Sequence, residues 1–314
     1  MTGGKPGLLL FTSNMDRMCE PIAGRFDVLR LWNESDPDAA LRERGAHIVA
    51  VLTSGRDRID AALMERLPRL RLIVAVGAGY EGVEVAAARI RGITVANAGD
   101  THSGDVADHA VALTLAVIQK IVPGDTWVRA GTWQAQGYPA QRRALSAERF
   151  GILGLGRIGR AIATRLVPFG GEIGWWGPTD RAAAWPRHES PLALATWCTA
   201  LIVAARGDAV SAVDRRVIDA VGSDGCIINI ARGQVIDEDA LIAALREGRL
   251  GAAGLDVFRE EPAPPARWTG VPNVLLSPHV AGVTREAMVR LRDTAVRNLN
   301  TVLEGGAVVS EIVS

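Results

Sequence analysis

A chain of 314 residues, 48% of them apolar, is too long for one typical domain, comfortable for two, and too rich in core-forming side chains to be globally disordered. Its 35 basic and 35 acidic residues cancel, and no basic block is present to neutralise a phosphate backbone, so nucleic acid is excluded as a partner. Met1–Glu20 contains only the apolar run Leu8–Phe11, much shorter than a signal-peptide core, and no stretch of about 18 apolar residues follows, which points to a cytoplasmic protein without a membrane span. Cys19, Cys198 and Cys226 are scattered without metal-ligand spacing and are expected to be packing residues in a reducing compartment, with no metal site.

In chain order, the runs Leu8–Phe11, His47–Leu52, Leu70–Val76 and Ile93–Ala96 read as strands separated by polar, helix-like segments, a spacing that requires crossovers and hence a parallel sheet. From Asp105 to Ile121 the chain is apolar almost all round, as in a helix buried between layers, and is read as the connector to a second domain. A second series follows at Gly151–Leu153, Ile173–Trp176, Leu201–Ala205, Cys226–Ile230, Ala252–Leu255 and Val274–Ser277, giving a second doubly wound sheet. Glu261-Pro-Ala-Pro-Pro265 is a rigid loop rather than a linker. Met288, Leu291, Ala295, Leu299 and Val302 recur at helical spacing and predict a final amphipathic helix that packs back on the N-terminal domain.

The turn Gly154-Leu-Gly156-Arg157-Ile158-Gly159 follows an apolar strand and opens a helix-like segment, so its missing side chains permit a tight turn and close pyrophosphate approach at a helix N-terminus. A dinucleotide cofactor is therefore expected. An acid at the end of the next strand would hold the adenosine ribose, but Gly177 stands there, followed by Pro178, Thr179, Asp180 and Arg181. Without a carboxylate to repel a 2′-phosphate, and with Thr179 as donor and Arg181 as charge, NADP is the expected cofactor; the alternative is NAD, with Asp180 turned back onto the ribose. The predicted fold class is α/β with two doubly wound parallel-sheet domains, a Rossmann cofactor domain (101–284) inserted into a flavodoxin-like substrate domain (1–100 and 285–314).

Several segments in order, Val76-Gly77-Ala78-Gly79, Val106-Ala-Asp-His-Ala110, the glycine turn, Asn229-Ile-Ala-Arg-Gly233, Asp237-Glu-Asp-Ala-Leu241, Leu255-Asp-Val-Phe258 with Glu261-Pro262, and Ser277-Pro-His-Val-Ala-Gly282, resemble the D-isomer-specific 2-hydroxyacid dehydrogenases over nearly the whole length. The resemblance implies hydride transfer between a nicotinamide cofactor and a small 2-oxo or 2-hydroxy acid, in a site between the domains. Reduction of such an acid requires a cation for its carboxylate and carbonyl and a proton donor for the developing alkoxide. Arg232 suits the first role through its planar, permanently charged fork, and His279 the second because imidazole titrates near neutral pH. Glu261, directly before the proline, is expected to orient His279, leaving Glu260 solvated.

The resemblance further implies that Val76–Gly79 helps hold the substrate carboxylate, that Asp256 contacts the nicotinamide carboxamide, and that Ala231 and Gly282 line the same face. Glu81 and Glu84 depart from the family pattern next to that first loop, which affects a turn rather than catalysis. In relatives the segment around Trp133 crosses to a second subunit, so a homodimer is implied, with Trp127, Trp133 or Tyr138 able to shape the partner's site or simply to pack. Glyoxylate and hydroxypyruvate are the leading substrates. The alternatives are a phosphoglycerate-type or other NAD-dependent member and a non-catalytic, cofactor-sensing corepressor-like protein; a formate dehydrogenase is disfavoured by Glu261.

Overall fold

Parallel strands buried on both faces read as continuous apolar runs, and such runs build both sheets of this chain. The computed structural model describes residues 4–205 and 209–312. The outermost residues of the expected domains, 1–3 and 313–314, and residues 206–208 lie outside the described residues. The chain divides into two compact units, Met1–His102 with Arg285–Ser314, and Ser103–Thr284.

In the first unit β1 (Gly7–Leu10), β2 (Asp27–Arg30), β3 (Ile48–Thr53), β4 (Leu72–Ala75) and β5 (Thr94–Ala96) form a parallel sheet of order β2-β1-β3-β4-β5. Successive side chains serve opposite faces. Leu8, Leu10, Leu52 and Val74 pack with helix Asn14–Ala23 and with Leu291, Ala295 and Leu299 of helix Arg285–Glu304, so the final helix belongs to this unit. Leu9, Val51, Ile73 and Val95 pack on the other side with Leu41, Met64 and Ala88. Strand β2 went unpredicted: it lies at the sheet edge, begins and ends on charged residues, and buries only Leu29.

The second unit holds β6 (Arg149–Leu153), β7 (Glu172–Trp176), β8 (Ala200–Val203), β9 (Cys226–Asn229), β10 (Ala252–Leu255) and β11 (Val274–Leu276), in the order β11-β10-β9-β8-β6-β7. A parallel bridge between Trp175 and Arg187 adds a vestigial strand outside β7, extending the sheet toward the dinucleotide-binding order. Strand order reverses between β6 and β8, which is where open α/β sheets bind ligands.

The expected connector is shorter than its apolar run. Helix Ser103–Ile118 ends before Lys120, whose φ of 49° breaks the helix, and Ile121–Arg129 and Thr132–Gln136 follow as separate helices with no buried residue. One face of Ser103–Ile118, carrying Val106, Ala107, Ala110 and Leu113, packs in the second unit's core with Ile152 and Ile228. Among the described residues, no single helix is long and apolar enough to cross a membrane.

Candidate active site

The segment after β11 turns sharply at His279, a non-glycine residue with φ of 52°. A left-handed backbone costs an ordinary residue about 1–2 kcal/mol, so the neighbours must impose it. Asp256, at the end of β10, does so: Oδ1 accepts from Val280 N at 2.9 Å and from Ser277 Oγ at 2.6 Å, and Oδ2 accepts from Ala281 N at 2.9 Å. Burial pushes the Asp256 carboxyl up, but bonds from His109, Ser277 and the Val280 and Ala281 amides outweigh it and hold it below the usual carboxylate range. The residue is 0% exposed. Asp256, expected at the nicotinamide, thus first serves the backbone around His279.

His279 and Glu261 are brought together as the sequence suggests. Nδ1 of His279 lies 2.9 and 2.8 Å from the two Glu261 carboxylate oxygens, and Glu261 Oε1 also accepts from Phe258 N at 3.0 Å. A carboxylate only accepts, so Nδ1 carries the hydrogen and Nε2 is the ring's second functional nitrogen. The imidazole side chain is 30% exposed and the Glu261 side chain 18%, so the pair is sheltered yet reachable. Glu260 is exposed.

Arg232 follows β9 in a turn held by Asn229, whose Nδ2 donates to Arg232 O at 3.1 Å and whose Oδ1 accepts from Ala231 N at 3.0 Å. The guanidinium NH1 donates to Ala231 O at 2.7 Å, fixing one side of the planar fork. Gly233 is required next: a Cβ there would fall 1.9 Å from the Phe258 carbonyl carbon. The Arg232 turn and the segment leading to Glu261 are therefore in backbone contact.

The glycine turn fits a dinucleotide. Gly154 has φ of 102° and donates its N–H to Trp176 O at 2.7 Å, and a Cβ on Gly159 would strike Gly154 O at 2.0 Å. Gly156 is exposed, with nothing within 4 Å of the Cβ it lacks, so a phosphate can approach its backbone at the head of helix Arg157–Leu166. Arg157 is exposed and Ile158 half-buried in that first turn. Beyond β7, Thr179, Asp180 and Arg181 are all exposed, and Asp180 Oδ1 accepts from Arg181 N at 2.8 Å. Two arginines absent from the sequence reading brace this loop: Arg187 donates to Gly177 O and Arg160 to Ala182 O, each at 2.8 Å. Ala231 is buried beside Asn229, and Gly282 is half-buried after Ala281.

In the first unit, Val76–Gly79 leaves β4 at the end of the strand, with Val76 N donating to Thr53 O at 2.9 Å. Gly77 O accepts from Ala98 N at 3.0 Å and Ala78 O from Asn97 Nδ2 at 2.8 Å. In trans peptides the N–H lies opposite the C=O, so the amides of Ala78 and Gly79 point away from the Asn97–Ala98 segment. Asn97, 8% exposed, also went unsingled in the sequence; an asparagine just past a strand carries no signal until its tertiary partner is known.

Residues 111–281, more than half of the chain, match the family model described as D-isomer specific 2-hydroxyacid dehydrogenase, NAD binding domain. The chain belongs to the D-isomer-specific 2-hydroxyacid dehydrogenases. Similar members of that family include the 2-ketogluconate reductase of Gluconobacter oxydans (strain 621H), 41% identical over 80% of this chain and 82% of the relative. A glyoxylate/hydroxypyruvate reductase A of Arabidopsis thaliana is 34% identical over 98% and 99%. Among solved structures of the dehydrogenases, the NADPH-dependent glyoxylate/hydroxypyruvate reductase of Sinorhizobium meliloti, in complex with NADP and malonate, superposes with a TM-score of 0.89 at 32% identity, covering 98% of this chain and 97% of that one.

Proposed function

We propose that this dehydrogenase reduces small 2-oxo acids of the glyoxylate and hydroxypyruvate type to D-2-hydroxy acids, with NADPH favoured over NADH. The observation that carries this reading is the His279–Glu261 pair, an imidazole whose Nδ1 is held by a carboxylate within 3 Å, which assigns the proton transfer to the ring's other nitrogen. The glycine turn would hold the pyrophosphate of the dinucleotide, whose reduced nicotinamide would supply hydride chemistry toward C2 of the oxo acid. Arg232 binds the carboxylate and polarises the carbonyl, and His279 Nε2 gives its proton to the oxygen that becomes the hydroxyl. Glu261 fixes the ring's tautomer and orientation. We assign the amides of Val76, Gly77, Ala78 and Gly79 to the substrate carboxylate as well, and Asp256, Ala231 and Gly282 to the nicotinamide end.

Preference for NADPH rests on Gly177, which leaves no acid at the end of β7, on exposed Thr179 and Arg181, and on the NADP complex of the Sinorhizobium meliloti relative. A longer sugar acid as substrate is the second reading, favoured by the 41% identity to a 2-ketogluconate reductase. Exposed Ile121, Val122, Val128, Trp133 and Tyr138 on and beside two otherwise unburied helices support a homodimer. Three buried free thiols suit the cytoplasm. The deciding experiment compares NADPH and NADH oxidation with glyoxylate, hydroxypyruvate, pyruvate, phenylpyruvate and 2-ketogluconate. Fast turnover of the two smallest polar acids with NADPH is expected; no turnover with any acceptor would instead favour a cofactor-sensing binding protein.

A further inference from the structure

Helix Ser103–Ile118 touches the His279 segment at both of its ends, through residues one helical turn apart. Asp105 Oδ1 accepts from Thr284 Oγ1 at 2.6 Å, at the last residue of the segment, and His109 Nε2 lies 3.0 Å from Ser277 Oγ, at the first. Residues four apart share a helix face, so one face spans the whole stretch from Ser277 to Thr284. The direction of the His109 contact follows from counting hydrogens. Ser277 has a single hydroxyl hydrogen and gives it to Asp256 at 2.6 Å, so its oxygen accepts from His109 Nε2–H. His109 Nε2 is also 3.4 Å from Asp256 Oδ1.

We propose that Asp105 and His109 are positioning residues that hold the proton donor in register. His109 acts through Ser277 on Asp256, the carboxylate that imposes the left-handed turn at His279, and Asp105 fixes the far end of the same loop. The inference rests on the reading of His279 as the proton donor. Neither residue touches the substrate in this scheme; each sets where the imidazole sits, and a misplacement of about 1 Å at a reacting group is enough to cost on the order of a hundredfold in rate.

The test uses the full chain and four variants, His109→Leu, His109→Gln, Asp105→Asn and His279→Ala, with three readouts: glyoxylate reduction by NADPH, NADPH affinity by fluorescence titration, and the His279 imidazole signals in a ¹⁵N-histidine NMR spectrum. His109→Leu is expected to lower kcat about tenfold to a hundredfold, to leave NADPH affinity unchanged and to shift or broaden the His279 signals. His109→Gln, which keeps an N–H donor at nearly the same reach, is expected to restore most of kcat and the wild-type signals; Asp105→Asn, which weakens the far anchor, is expected to show a smaller loss of the same kind. Unchanged kcat and His279 signals in His109→Leu, or a loss that His109→Gln fails to rescue, would overturn the proposal. If His109→Leu does not fold, Ser277→Ala removes the intervening hydroxyl with little change in volume and reads the same arm. Retained turnover in His279→Ala would overturn both this proposal and the assignment of His279, whereas its loss beside an unaffected His109→Leu overturns the positioning role alone.

Discussion

Gly233 and Phe258 meet backbone to backbone, so closely that a methyl group on Gly233 would fall 2.1 Å from the Phe258 carbonyl oxygen. The contact joins the turn that carries Arg232 to the segment whose next fixed point is Glu261, since Phe258 N donates to Glu261 Oε1. Gly233→Ala is expected to force the two apart, costing about 1–3 kcal/mol of stability as an overpacked site does, and to lower kcat because both the cation and the base-orienting acid move. Urea melts and steady-state kinetics on one preparation check this; wild-type stability in Gly233→Ala would contradict the packing.

Removing the imidazole or its carboxylate partner should separate catalysis from binding. His279→Ala is expected to lose about 10²–10⁴ in kcat, the range of general acid catalysis, and to keep its cofactor affinity. Glu261→Gln preserves the shape but not the charge, and a smaller loss is expected. Stopped-flow reduction with saturating cofactor measures both.

Cofactor preference should follow one position. A Cβ on Gly177 would meet Trp175 Cζ3 at 3.3 Å and no backbone atom nearer than Leu155 N at 4.0 Å, so a side chain fits with a small adjustment. Gly177→Asp is expected to repel a 2′-phosphate and to accept from ribose hydroxyls, and a charged hydrogen bond of about 1.5–3 kcal/mol corresponds to roughly a tenfold to hundredfold shift toward NADH. The ratio of kcat/KM for the two cofactors reports it.

Acid should destabilise the second unit through His188. Burial lowers its pKa below the ordinary 6.5, and Nε2 has no hydrogen-bond partner in a site beside Gly174 and 4.8 Å from the Trp197 ring. A histidine whose folded pKa is depressed contributes stability that is present above pH 6.5 and lost as pH falls through the folded value. Tm should therefore drop below pH 6.5, and His188→Phe should flatten that part of the profile. An identical slope in the variant would remove His188 as the cause.

The thiols should be inert. Burial is the largest cause that pushes Cys19 up to about 11 and Cys198 and Cys226 up to about 12, so almost no thiolate exists near neutral pH. A disulfide reagent at pH 8 is expected to titrate no thiol in the native protein and all of them after denaturation.

Sequence patterns revealed what depends on many atoms at once. The runs that became β3, β4, β8 and β9 are apolar because both of their faces are covered, and the glycine turn stands out because Gly154 and Gly159 tolerate no side chain. The edge strand β2 and the vestigial strand at Arg187 lack that apolar cover and left no pattern. His279 and Glu261 could be paired from their surroundings in the chain, 18 residues apart. Asn97 and Arg187 act through hydrogen bonds to the backbone carbonyls of Ala78 and Gly177, and the His109–Ser277 contact spans 168 residues; nothing periodic announces any of them.

The two units also differ in when they can be finished. Ser103–Thr284 is one uninterrupted stretch, whereas the first unit is assembled from segments on either side of it. On the ribosome the strands bearing Leu8, Leu52 and Val74 emerge before the inserted unit, but the helix that covers them, Arg285–Glu304, is made only after it. The usual N-terminal-first order is closed to this chain. Its inserted unit can close while the older sheet waits with one apolar face uncovered, which makes the nascent N-terminal segment the place where a chaperone would be needed most.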